Sequence, residues 1–134
     1  MTTSHAQQLT AAISAAMVDL YAAFYEHDRT IATTYINDRV VVCVLENILT
    51  ESEDALVAGG ARGEVIDGRV AFQTDTEDEF TAAIQRLTHR RVVAFMSANQ
   101  TIPGIACELF FLDASPLTAS AKAGCDEPRR GAVA

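Results

Sequence analysis

The stretch that decides the fold runs from Tyr35 to Leu49 and reads Tyr-Ile-Asn-Asp-Arg-Val-Val-Val-Cys-Val-Leu-Glu-Asn-Ile-Leu. Its centre, Val40 to Leu45, is the most continuous apolar and β-branched run in the chain, which is typical of a buried strand. A strand with one face in water alternates apolar and polar residues, whereas Val41 and Val42 offer apolar side chains to both faces. The sequence therefore predicts a strand whose two faces must both be covered.

The other predicted strands complete two β-hairpins. Asn37-Asp38 lies between two β-branched segments in the position of a tight turn, which predicts strands over about 32–37 and 39–46. Two further apolar segments, Val92–Met96 and Ile105–Leu112, are joined by residues 97–104, where Pro103-Gly104 is a turn signal. We therefore expect a second hairpin near the end of the chain.

Helical spacing and capping patterns occupy the segments between the hairpins. Apolar residues repeat at helical spacing over about 5–27, after a capping-box pair of Ser4 and Gln7. Thr50 with Glu53 has the same capping-box form and predicts a short helix over about 51–58.

A last helix is predicted to begin at Thr76, which forms a third capping-box pair with Glu79. Upstream of it, residues 61–73 also favour helix, but Gly63 and Gly68 interrupt the pattern and argue against a continuous one.

The succession of helix, hairpin, helices and hairpin predicts the order α-β-β-α-β-β, an α+β two-layer sandwich with a four-stranded, mainly antiparallel sheet and helices on one face. We expect residues 1–113 to form a single domain. Residues 114–134 have no apolar period and mix small, charged and turn residues, so we expect a disordered tail.

The sheet face without helices should be apolar. Soluble monomers avoid large apolar patches in water, so the sequence predicts a homodimer or higher oligomer. Pairing through the sheet face and pairing through a strand edge are both open. The interface candidates are the apolar strand residues Val40, Val42, Val44, Val92 and Phe110.

Composition excludes several function classes. A formal net charge of −8 argues against nucleic-acid binding, which depends on clustered Lys and Arg. No apolar run approaches the length of a membrane span, so we expect no direct membrane insertion. The three cysteines and three histidines are scattered without metal-ligand spacing, so no metal or cofactor is predicted. An odd cysteine count without a basic leader indicates the cytoplasm.

Several segments together resemble the MpsC-like family of small bacterial proteins, named for a sodium-translocating, membrane-potential-generating system. The resemblance spans roughly residues 15–113 and is carried by Tyr35-Ile-Asn-Asp, Leu49-Thr-x-x-Glu53-x-x-Leu56, Arg69-x-x-Phe72, Arg91-Val-Val-Ala-Phe-Met-Ser and Glu108-Leu-Phe-Phe-Leu. It implies an accessory or regulatory role near cation or inorganic-carbon transport, exerted through contact with a membrane transport component. The chain departs from the family pattern at His27–Ala32, at Ala98 and at Ile102–Gly104, and so resembles a divergent member.

Two functions follow from these observations. The first is a non-catalytic, homo-oligomeric accessory protein that binds a partner, in which case the chain is not an enzyme. The alternative is a small-molecule-binding or enzymatic domain that uses a cleft near the second hairpin, with Arg91, Asn99 and Thr101 as the polar candidates. Asn and Thr are also ordinary turn residues, so their presence alone does not decide between the two.

Overall fold

The computed structural model describes residues 4–25 and 29–118, apart from the side chains of residues 72, 73 and 75. In these residues the order of elements is α-β-β-α-α-β-β. The elements are α1 (His5–Tyr25), β1 (Ile31–Asn37), β2 (Val40–Glu46), α2 (Glu51–Ala58), α3 (Arg62–Thr88), β3 (Val92–Thr101) and β4 (Gly104–Leu112).

The four strands form one antiparallel sheet in the order β1-β2-β4-β3. Each hairpin supplies one edge strand and one central strand, and β2 pairs with β4 at the centre, where Val42 lies opposite Leu109. The predicted α+β class and four-stranded antiparallel sheet are confirmed.

The helices lie on one face of this sheet. α1 contacts β1 and α3, and α3 also contacts β3. Alternate residues of the central strands, such as Val41 and Phe110, point toward the helices and have no exposed surface. The other large members of the core come from the two long helices, among them Ile13, Met17, Phe80 and Ile84.

Two of the three predicted capping boxes start helices. At α2, Thr50 Oγ1 accepts from the Glu53 backbone N–H at 3.2 Å, and Glu53 Oε1 accepts from the Thr50 N–H at 3.0 Å. At α1, Ser4 and Gln7 exchange the same two bonds at 3.0 and 3.1 Å. Side chains at both helix starts therefore satisfy backbone N–H groups that have no partner inside the helix.

The third predicted helix start is wrong. α3 runs without interruption from Arg62 to Thr88, so Thr76 lies inside it, and Gly63 and Gly68 do not break it. A glycine in a helix interior costs roughly 0.5–1 kcal/mol relative to alanine. Burial of Val65, Phe80 and Ile84 along the same helix outweighs that penalty.

The second hairpin has longer strands than the sequence predicted. β3 continues to Thr101, so the loop expected over 97–104 is reduced to Ile102 and Pro103, which are joined by a cis peptide bond. Asn99 and Thr101 are consequently strand residues and not turn residues.

The segment after β4 packs on the domain. Ser115 and Pro116 are buried, and the buried Arg90 donates from Nε to the Ser115 carbonyl at 2.9 Å. The remainder of the predicted tail, residues 119–134, lies outside the described residues, as does His27. Within the described ranges, no helix combines the length and apolarity needed to cross a bilayer.

Candidate functional site

The sheet face opposite the helices, here called the open face, is covered by no element of the described chain. Strand register aligns its residues in rows across all four strands. The central row is Tyr35, Val42, Leu109 and Met96. The rows on either side are Asn37, Val40, Phe111 and Ala94, and Thr33, Val44, Cys107 and Ala98.

The open face is predominantly apolar and reachable from solvent. Tyr35 and Met96, on the two edge strands, are each 58% exposed, and Val42 and Leu109 between them are half-buried by their neighbours. In one outer row, the Phe111 ring is partly covered by Arg39, whose guanidinium lies 4.9 Å from the ring centre. Soluble monomers rarely leave a contiguous apolar surface of this kind in water, so such a surface marks an interaction site.

The five predicted interface residues divide between the two faces. Val40, Val42 and Val44 lie on the open face, as their register positions require. Phe110 points to the helices and is fully buried, and Val92 packs against the same core. The one-residue alternation of the strands places Phe111 on the open face in place of Phe110.

On the helical side of the sheet, Arg69 of α3 is the centre of a buried polar cluster. Its side chain is 2% exposed, and it donates to Glu53 through Nε at 3.0 Å and through Nη2 at 2.6 Å. Nη2 also donates to the Ile48 carbonyl at 2.7 Å, and the guanidinium lies 3.9 Å from the centre of the Tyr25 ring. Arg69 therefore ties α3 to the start of α2, to the loop before it and to α1.

Charge pairing sets the ionisation of this cluster. Burial alone would raise the pKa of Glu53, but hydrogen bonds from Arg69 and Thr50 and the charge of Arg69 hold that pKa below its ordinary value. Burial likewise opposes the charged form of Arg69, while Glu53 raises its pKa. Both groups are charged at neutral pH, and Glu53 is at once the N3 member of the α2 capping box and the partner of Arg69.

A second buried acid lies on the same side of the sheet. Glu108 of β4 is 1% exposed, and Tyr21 donates its hydroxyl to Glu108 Oε2 at 2.7 Å. Burial raises the pKa of Glu108, and burial together with the neighbouring carboxylate raises that of Tyr21. Glu108 Oε1 and the hydroxyl of Ser97, its register partner on β3, have no hydrogen-bond partner in the described chain.

The ligand candidates from the sequence are brought together only in part. Asn99 and Thr101 both line a cavity of about 410 Å³ between the end of β3 and the first turns of α3. Arg91 immediately precedes the first residue of β3, at the other end of that strand from Asn99 and Thr101. There its backbone N–H donates to Asp113 Oδ1 at 3.3 Å.

The cysteines of the described chain do not have the surroundings of a nucleophile. Cys43 lies in the core of β2, and burial raises the pKa of its thiol to about 12. Burial also raises the pKa of Cys107 on β4. In the described ranges, no three His, Cys, Asp or Glu side chains are grouped so that they could hold a metal ion.

Sequence reasoning missed the roles of Arg69, Glu108 and Tyr21. One signal for Glu108 was available, because it occupies the same strand parity as Ala106 and Phe110, which face the core. The signal for Arg69 was its spacing, because it lies four residues after Val65 and so shares a helix face with that apolar residue.

The architecture defines a small two-layer α+β domain with one open apolar face. The family model described as Na+-translocating membrane potential-generating system (MpsC) matches residues 5–114. The chain belongs to the MpsC family. Neither a curated protein nor a solved structure matches the chain.

The segments that carried the resemblance to this family meet in the structure. The Leu49-Thr-x-x-Glu53 and Arg69-x-x-Phe72 segments are joined by the Glu53–Arg69 ion pair. Glu108, which begins the last of those segments, bonds to Tyr21 beside Arg69.

Proposed function

We propose that this member of the MpsC family is a non-catalytic accessory protein that acts by protein contact and forms a homodimer through the open face. The observation that carries this proposal is the central row of Tyr35, Val42, Leu109 and Met96, an apolar band across a sheet that no element covers in the described chain. A two-fold axis through such a face would stack each central row on its copy.

The size of the face agrees with a modest dimer. Four strands about 4.8 Å apart and seven residues long at about 3.3 Å each give a face of roughly 19 by 23 Å. That is about 440 Å² in flat projection, and the accessible surface of the side chains on it is larger, so the face is of the order of the ~800 Å² that each partner buries in a standard interface.

The chain's own C-terminal segment is a poor cover for this face. Residues 119–134 read Ala-Ser-Ala-Lys-Ala-Gly-Cys-Asp-Glu-Pro-Arg-Arg-Gly-Ala-Val-Ala, in which valine is the largest aliphatic residue and there is no aromatic one. Such a segment has little apolar area to set against an open face that includes Tyr35, Leu109 and Phe111. A second copy of the chain offers a matching apolar surface of the same size.

The buried ionisable groups support a non-catalytic role. Arg69, Glu53 and Glu108 are engaged with other elements of the fold, and the first two form an ion pair with each other. Their arrangement explains how α1, α2 and α3 are held on the sheet.

The family description supports the wider setting of the proposal. A protein of a membrane-potential-generating system that acts by contact would bind a transport component from the cytoplasmic side, with the dimer presenting its helical surfaces outward. The small-molecule alternative rests on the cavity beside Asn99 and Thr101.

The test is the oligomeric state of a charge variant. Val42→Glu places a carboxylate in the central row, where each copy meets the other, so we expect light scattering at tens of micromolar to change from dimer to monomer. Val70→Glu is the matched control because Val70 is 51% exposed on α3, away from the sheet. A wild-type protein that is monomeric at these concentrations, or a Val42→Glu variant that remains dimeric, would refute the open face as the interface.

A further inference from the structure

Three buried oxygen atoms without a partner lie on the helical side of β3 and β4. Glu108 of β4 is 1% exposed, and its Oε1 makes no hydrogen bond in the described chain. The same holds for two buried atoms of β3, Ser97 Oγ and Asn99 Oδ1. Buried polar atoms are normally satisfied by protein, water or a ligand, so three such oxygens on neighbouring strands indicate a binding site.

Strand register places the three side chains together. Ser97 lies directly opposite Glu108, and the Cβ atoms of such cross-strand neighbours are about 4.5–5.5 Å apart. Asn99 is two residues further along β3, so it shares the face of Ser97 and is diagonal to Glu108, across a gap that long side chains span. Asn99 also lines the cavity of about 410 Å³ between β3 and α3, which gives small solutes a route to the three oxygens.

The charges around Glu108 are unbalanced. Arg69 of α3 is paired with Glu53 through both Nε and Nη2, and in the described chain no ion pair joins it to Glu108. The other titratable groups facing Glu108 are Tyr21 of α1, which donates to Oε2, and Cys43, the register partner on β2. Burial keeps both of these protonated and neutral. An ionised Glu108 therefore leaves the cluster with two carboxylates and one guanidinium, an excess of one negative charge.

The chemistry of the three oxygens fits a cation with a single charge. A carboxylate, a hydroxyl and an amide carbonyl are hard oxygen ligands, which alkali and alkaline-earth cations prefer. Divalent cations are commonly held by several carboxylates, whereas this set contains one. Arg69 Nη1, a donor that also has no partner in the described chain, adds repulsion that a divalent ion would feel twice as strongly.

We propose that Glu108, Ser97 and Asn99 bind a monovalent metal cation of the size of sodium or potassium. Glu108 Oε1 supplies the charge, Ser97 Oγ and Asn99 Oδ1 supply neutral oxygens, and water from the cavity completes the coordination. The ion and a proton compete for the same carboxylate, so the ion binds only when Glu108 is ionised. This site is independent of the proposed dimer, because the open face lies on the other side of the sheet.

The experiment is a titration of the ¹⁵N-labelled full chain with sodium chloride and with potassium chloride at mildly alkaline pH, followed by amide chemical shifts. Choline chloride replaces the metal salt at each step, so that the ionic strength stays constant. We expect saturable shifts at Ser97, Asn99 and Glu108 with at least one of the two metal ions. Below the folded-state pKa of Glu108, the apparent dissociation constant should rise about tenfold per pH unit, because one proton must leave for each ion bound.

Variants assign the binding to these side chains. Glu108→Gln keeps the shape of the side chain without its charge and should abolish the saturable shifts. Ser97→Ala removes one ligand oxygen and should weaken binding about fivefold or more. Glu46→Gln is the matched control, because it removes an exposed carboxylate of β2, and it should bind as wild type.

Three results would each overturn the proposal. They are the lack of a saturable shift with either metal ion, an apparent dissociation constant that does not change with pH, and equal responses of Ser97→Ala and Glu46→Gln. Amide spectra in choline chloride alone show whether each variant is folded. Ser97→Ala, the smaller change, decides the outcome if Glu108→Gln does not fold.

Discussion

Replacing Arg69 with alanine is the most informative perturbation of the buried polar cluster. The substitution removes two hydrogen bonds to Glu53, one to the Ile48 carbonyl and the stacking of the guanidinium on Tyr25. It leaves the Glu53 carboxylate, whose side chain is 19% exposed, beside a cavity in the protein interior.

The expected loss of unfolding free energy follows from these contacts. Removing one partner of a buried ion pair typically costs about 3–5 kcal/mol, because the other charge is left without compensation. Glu53 keeps some contact with water and its bonds to Thr50, so we expect the lower part of that range, about 3 kcal/mol. Domains of this size have a total stability of about 5–15 kcal/mol, so the change is large but measurable.

The assay is urea unfolding at neutral pH, followed by circular dichroism. Arg86→Ala on the exposed last turn of α3 is the control and should change stability by less than about 0.5 kcal/mol. In the double variant with Glu53→Gln, the two losses should be non-additive by about 1–3 kcal/mol. A loss below about 1 kcal/mol for Arg69→Ala would refute the view that this cluster holds the helices on the sheet.

Two further predictions concern single side chains. Thr50→Ala should lower stability by about 0.5–2 kcal/mol through loss of the α2 cap, while Thr74→Ala on an exposed position of α3 should not; equal urea midpoints for the two would contradict the capping role. Because burial raises the pKa of Glu108, the folded state holds that proton more tightly than the unfolded chain, and the contribution of Glu108 to stability falls as pH rises from about 4.3 through the folded-state pKa. Glu108→Gln cannot titrate, so its stability relative to wild type should increase over that interval and be constant above it; a difference that does not vary with pH would show that the buried carboxyl has an ordinary pKa.

Much of the fold could be predicted from local patterns. The Asn37-Asp38 turn, the Val40–Leu45 run and the Thr50–Glu53 capping box each contain their own signal within a few residues, and all three lie where the sequence placed them. The continuity of α3 through Gly63 and Gly68 could not be predicted in this way, because burial against the sheet decides it and local propensity does not.

The candidate surfaces were predictable to a smaller extent. Apolar residues of both parities in β2 indicated an uncovered sheet face, but the choice of Phe110 over Phe111 required the strand register, which depends on pairing with distant residues. Arg69 and Glu53 are sixteen positions apart and belong to different helices, so their bidentate contact appears only in three dimensions.

The strand order has a consequence for how the chain folds. Each hairpin alone is a two-stranded ribbon, which is at best marginally stable in water. The sheet becomes a unit only when β2 pairs with β4, and that pairing closes a loop that contains both α2 and α3. Closing a long loop is entropically unfavourable before the contacts it brings are formed, so high contact order slows folding. We expect the two halves of the chain to fold in a single cooperative step, with neither hairpin persisting without the other.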